Sequence, residues 1–209
     1  MTSAPHVRRT RSLPGSGGCT PAPPGAAGFR ATLRRLLAAA GRVDDRAVAR
    51  LIGDALETDG TLDTWAHLCA PALAATAGPA NAPELALAAG IRAALDERLI
   101  RLARRDLAPT VMLTAPPGEP GDLPLTALAV VLLEHGVESW RLGADVPWAA
   151  ISDAVARVAP DRLVVWSGGA RGAELAELVA GHPAVAIVPA GPAVPLAETA
   201  AACLAATAR

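Results

Sequence analysis

The chain has 209 residues, of which 52% are hydrophobic and 19% charged, and its formal net charge is -1. That length can bury a real core and suits one domain with a cap, or two small domains. The near-zero charge excludes a general polyanion binder, and no stretch offers the ~20 uninterrupted apolar residues of a membrane span. Cys19, Cys69 and Cys203 are far apart with no CxxC, which argues against a disulfide framework or a zinc knuckle. Apart from the histidines every basic residue is arginine, Tyr is absent, and the aromatics are Phe29 and four Trp. So few rings also argue against stacking on single-stranded nucleic acid.

In chain order, residues 1–28 carry Pro5, Pro14, Pro21, Pro23 and Pro24 among Gly and Ser, the composition of a disordered tail. Arg8, Arg9 and Arg11 precede a Pro/Gly/Ser run where a signal peptide needs an apolar core, so the expected location is the cytoplasm. The first helix is expected from Phe29, with Leu33, Leu36 and Leu37 on its stripe and Gly41 as stop. A second runs from Asp44, a capping residue, to Thr58, with Val48, Leu51, Ile52 and Leu56 inward. A third starts at Thr61 and carries Trp65, Leu68, Cys69 and Leu73, with a bend expected at Pro71. A fourth spans Pro83 to Leu107 through Leu87, Ile91, Leu95, Leu99 and Leu102. Four helices with short connections, residues 29–107, make a bundle cap.

The period then changes. Strands are expected at Thr110–Ala115, Val137–Leu142, Arg162–Trp166 and Ala184–Val188. Helices are expected at Leu123–His135, from Pro147 through Ile151, Val155 and Val158, at Glu174–Ala180, and at Leu196–Ala206. Alternating strands and helices imply a doubly wound α/β domain of Rossmann-like type over residues 108–209, with a parallel sheet and right-handed crossovers. A ligand in such a fold sits beyond the strand C-termini, which directs attention to the loops Pro116–Asp122, Ser167–Gly169 and Gly191–Pro192.

The four-helix cap followed by TVMLTAPPGEPGDLPLTALAVVLLEHGVESWRLGADVP resembles the cobalamin-binding module of MerR-type light- and cobalamin-sensing regulators and of corrinoid proteins. The resemblance runs from about Phe29 to the C-terminus. That family carries D/E-x-H-x-x-G after the first strand, and its His ligates cobalt. The matching segment here is Glu119-Pro120-Gly121-Asp122-Leu123-Pro124, so the acidic position is kept, Gly121 stands at the His and Pro124 at the last Gly. The family's Ser, which meets the dimethylbenzimidazole tail, falls on Ser167, with Gly169 at its usual Leu; its later Gly-Gly becomes Gly191-Pro192. The photosensory relatives place a Trp and a Glu-His pair in the cap; the segment Pro79–Leu95 has neither, and Trp65 lies one helix earlier. The residues that the resemblance sets against a cleft ligand are Gly118, Glu119, Gly121, Asp122, Leu123, Ser167, Gly168 and Gly191. The expected cofactor is none, or cobalamin bound base-on, with no protein ligand to a metal.

Each of these residues also has a plainer role. His6 lies in the tail, His135 at a helix end, His182 in a surface turn, and His67 in the cap is the one candidate for a substitute upper ligand. The glycines of GEPG and SGG can cradle an anion, yet they form neither a Walker loop nor GxGxxG. Ser167 lacks a G-x-S-x-G frame and an activating His. Glu119 and Asp122 can act as an acid/base pair or cap the following helix. Cys69 fits a buried small hydrophobe. Trp140, Trp148 and Trp166 are expected to pack the sheet, with Trp166 partly filling the space a corrinoid tail would enter.

The sequence therefore points to a non-enzymatic regulatory or sensor-type protein acting through a protein partner, self-association or a small molecule in the cap/sheet cleft. The first 28 residues cannot house a helix-turn-helix, so no direct sequence-specific DNA binding is expected, and no membrane association. The alternatives are a base-on cobalamin sensor or transcriptional regulator, and a corrinoid carrier. A narrow cleft around Trp166 favours the first reading; an open groove beside Ser167 favours base-on cobalamin.

Overall fold

The structure, a computed structural model, describes residues 26–78, 81–103, 110–169 and 172–205. The tail expectation for residues 1–25, with His6, Arg8, Arg9, Arg11 and Cys19, lies outside the described residues, as does the end of the fourth helix beyond residue 103. Helix α1 (Ala26–Gly41) begins before Phe29, so residues 26–28 belong to it and not to the tail.

Helix α2 (Asp45–Thr58) starts where Asp44 accepts the Ala47 N–H at 2.9 Å, and it buries Val48, Ile52, Ala55 and Leu56. Helix α3 (Gly60–Thr64) passes through a π turn (Trp65–Cys69) directly into α4 (Ala70–Thr76). The sequence predicts a bend at Pro71, and the structure has a π turn in the residues just before it. Proline has no N–H for the His67 carbonyl and its ring crowds that oxygen; the preceding turn widens, and the Ala70 N–H reaches back to Trp65 O. Helix α5 (Ala82–Leu102) is capped by Asn81, which accepts from the Glu84 N–H at 2.8 Å, and it runs through the middle of the cap.

The second half alternates β1 (Val111–Thr114), α6 (Asp122–Glu134), β2 (Ser139–Gly143), α7 (Trp148–Val158), β3 (Arg162–Trp166), α8 (Gly172–Gly181), β4 (Ala186–Ala190) and α9 (Leu196–Leu204). All pairs are parallel, in the order β2-β1-β3-β4. Alternate strand residues serve the two faces. Val111, Leu113, Val164 and Trp166 join α6, α9 and the cap in one core, while Met112, Leu163 and Val165 pack with α7 and α8 in another. This is the doubly wound α/β sheet that the alternation implied. Trp140 and Trp148 pack the second core and Trp166 the first.

Helix α6 is buried on every side from Pro124 to Leu132, because the sheet covers one face and the cap the other. A helix apolar all round has to be enclosed, and each leucine so buried contributes about 1.5–3 kcal/mol. Polar ties join the same layers. Glu134 of α6 accepts from Thr61 (2.8 Å) and pairs with Arg98 (3.1 Å), Arg98 also meets Glu57 (3.1 Å), and Arg92 of α5 pairs with Asp122.

Two strands differ from expectation. Strand β2 starts two residues later and includes Gly143, at a register shift between Leu113 and Thr114 of β1. Strand β4 lies at 186–190 and not at 184–188, and contains Pro189. Ala186 donates to Asp161 and Ala190 accepts from Ser167, so alternate residues face β3 and the Pro189 nitrogen points to the outer edge. There the missing N–H breaks no ladder bond and blunts an edge unpaired among the described residues. Pro189→Thr restores that donor. It is expected to leave stability within about 0.5 kcal/mol and to produce concentration-dependent self-association, measured by light scattering.

Candidate functional site

Helices α6 and α8 leave β1 and β3 toward opposite faces of the sheet, which opens a switch point between the two strand ends. The three loops singled out from the sequence meet there. Above them the α3–π turn–α4 segment of the cap closes a cavity of about 620 Å³. Its cap wall is Leu62, Trp65, Ala66, Ala70, Leu73 and Ala74. The opposite wall combines Glu119, Pro120 and Pro124 after β1, Trp166 at the end of β3, and the segment from Gly191 into α9.

Glu119 and Ser167, 48 residues apart, are in contact. The Ser167 hydroxyl donates to Glu119 Oε1 at 3.0 Å, and the Gly168 N–H donates to Glu119 Oε2 at 2.9 Å. One carboxylate therefore spans the switch point and holds the β1 and β3 loops together. A second carboxylate ties the β1 loop to its other neighbour: Asp145, after β2, accepts from the Gly118 N–H at 2.8 Å. Gly118 has φ +79, a conformation that glycine adopts without strain. Neither Glu119 nor Asp122 caps α6 through its side chain, because Gly121 occupies the N-cap. Asp122 instead sits in the first turn, where a carboxylate favours the helix dipole, and pairs with Arg92.

Gly121 is buried beneath the Trp166 indole. A Cβ added there would lie 2.4 Å from Trp166 Cδ1, 2.7 Å from Cγ and 3.0 Å from the Ala115 methyl. Trp166 thus occupies the space that any side chain at position 121 would need. Gly191 is held as closely, since its added Cβ would lie 2.2 Å from the Ser167 carbonyl oxygen.

Of the eight residues set against a ligand by the sequence, Glu119 and Gly191 line the cavity and Ser167 and Gly168 are bonded to Glu119 behind that wall. Gly121 backs Trp166, while Gly118, Asp122 and Leu123 lie off the wall. Leu123 packs on the main core. The sequence points to the cap/sheet cleft but to none of the cap residues that line it. Trp65, set apart from the family's Trp position, lines the cavity; its helical spacing with Leu62 and Leu73 was the available signal.

No described histidine lines the cavity. The His67 ring stacks on Phe29 of α1, with centroids 4.8 Å apart and planes inclined by 30°. His135 Nδ1 donates to the Val131 carbonyl at 2.8 Å, and His182 Nε2 shares a hydrogen bond with Ser152 at 2.9 Å. Among the described residues no group of three or more His, Cys, Asp and Glu is placed to hold a metal. Burial pushes the Cys69 thiol up to about 12 and the Cys203 thiol to about 11, so both stay protonated and unreactive near neutral pH. No described helix is long and apolar enough to cross a membrane.

No protein-family model matches the sequence, and no curated protein matches it. Among solved structures the chain is similar to the monomethylamine corrinoid protein of Methanosarcina barkeri. The TM-score is 0.62 at 13% identity, over 84% of this chain and 98% of that one. It also matches the methanol:cobalamin methyltransferase complex MtaBC of Methanosarcina barkeri, with TM-score 0.38 and 14% identity over 86% and 75% of the two chains. The chain therefore has the fold of a corrinoid protein, a helical cap closing over the strand ends of a cobalamin-binding-type α/β module.

Proposed function

We propose that the chain is a non-enzymatic regulatory or sensor-type protein in which the corrinoid-protein fold no longer holds cobalt through a protein imidazole, and whose cap/sheet cleft takes another ligand or serves a protein partner. The observation that carries this reading is the contact of Gly121 with Trp166. The position that resembles the family's cobalt-ligating His has no side chain, and the indole fills the room one would need. The donor set agrees, because cobalt favours imidazole nitrogen and the described histidines are engaged away from the cavity. The residues present do not fit a His-ligated corrinoid, which also counts against a carrier role.

Occupancy of the cleft acts on both walls at once. The cap wall belongs to the α3–π turn–α4 segment, and the opposite wall to loops locked by Glu119 and Asp145. A ligand that binds one packing of cap and sheet better than another shifts the population between them.

A second reading, base-on cobalamin, is favoured by the cavity's place at the strand ends and by the fold it shares with a corrinoid protein. It needs no protein His, but a nucleotide tail beside Ser167 must displace the hydrogen bond to Glu119. Incubation with adenosyl-, methyl- and hydroxocobalamin in the dark, followed by gel filtration, separates the two readings. The expected result is no co-eluting colour at tens of micromolar. A stoichiometric base-on spectrum would replace the first reading with the second.

A further inference from the structure

The reading that the cleft holds something other than a corrinoid leaves the chemistry of that occupant open, and the cavity wall narrows it. The cap contributes Trp65, Leu62 and Leu73, and the α/β side contributes Trp166, Val194 and Leu196. Among the described residues no arginine is in the wall, and the one charged side chain there, Glu119, already accepts hydrogen bonds from Ser167 and Gly168. An anion entering here would lose its hydration with no cation among the described wall residues to replace it. A ligand studded with amides or hydroxyls would leave many of them unsatisfied. The cavity, about 620 Å³, falls in the ~300–1,000 Å³ range that encloses a drug-sized molecule. Trp65 and Trp166 line it from opposite walls, a pairing that suits aromatic contact.

We infer that the cleft is a binding site for a neutral, apolar aromatic molecule held between the cap wall at Trp65 and the sheet wall at Trp166. The inference rests on the proposed function and deepens it, by naming the class of ligand whose occupancy the cap would sense.

Two fluorescent probes with one ring system and different charge test it: neutral N-phenylnaphthylamine and the sulfonate-bearing anilinonaphthalene sulfonate. The 209-residue chain is expected to bind the neutral probe saturably at one site, and the sulfonate roughly tenfold more weakly. Trp65→Ala is expected to weaken the neutral probe by roughly tenfold through loss of the ring. Ala66 is exposed and lies in the same wall, so Ala66→Arg adds a cation without disturbing the core; it is expected to move the preference toward the sulfonate. Circular dichroism of each variant establishes that it folds. The inference is overturned if the sulfonate binds wild type as well as the neutral probe, if Trp65→Ala leaves neutral binding unchanged, or if the neutral probe does not bind. A corrinoid complex in the gel-filtration experiment would instead remove the reading beneath it, so the two failures are distinguishable.

Discussion

Gly90→Ala is expected to destabilise the protein by about 2–3 kcal/mol, although alanine is the better helix former by about 1 kcal/mol. Gly90 lies in the middle of α5, where α2 crosses it. An added Cβ would lie 2.4 Å from Val48 Cγ1, 2.5 Å from Val48 Cβ and 2.6 Å from the Asp45 carbonyl oxygen. Val48 cannot swing clear, because its side chain is fully buried and β-branched, and the oxygen is backbone. The two helices must separate, which opens the packing around Ile52 and Ile91 at the centre of the cap. Thermal unfolding followed by circular dichroism should show a midpoint roughly 5–10 °C lower. An unchanged or raised midpoint would mean that α2 and α5 do not approach this closely.

The second large effect lies in the site. Gly121→Ala is expected to cost about 2 kcal/mol, because the methyl group overlaps the Trp166 ring and the ring is packed on the main core. Trp166→Ala alone removes a 9% exposed indole and should cost about 3–5 kcal/mol. The two are in direct contact, so their effects should not add. With the ring gone the new methyl has room, and the double variant should be more stable than the sum predicts by about 1–2 kcal/mol. Denaturant unfolding of the four proteins measures this coupling. Strict additivity would show that the ring does not lie over position 121.

Much of the architecture was legible in the sequence. Short apolar runs mark β1 and β3 because both strands are buried on two faces, and the 3.6-residue stripes of α2 and α5 are the sides those helices bury. The three candidate loops were legible for a topological reason: alternating strands and helices bring every β-to-α loop to one end of the sheet. Other features depend on neighbours that sequence spacing cannot supply. The bond from Ser167 to Glu119 follows from β3 lying beside β1, and Trp65 joins the cavity only because the α3–π turn–α4 segment lies over the strand ends. Strand β4 lies two residues later than expected and runs through Pro189, which an outer edge tolerates. Likewise the resemblance sets Gly121 at the family's His position, but the tryptophan packed on that glycine comes from a strand 45 residues further on.

Trp166, lying over Gly121, leaves no room for a cobalt-ligating side chain at that position. The most direct test is the visible spectrum of hydroxocobalamin mixed at tens of micromolar with wild type, Gly121→His, and Gly121→His combined with Trp166→Ala, each confirmed as folded. That exclusion predicts the spectrum of free hydroxocobalamin with the first two proteins, and a shift to imidazole-ligated cobalt only where the ring is also removed. A shift with wild type, or with Gly121→His alone, would contradict it.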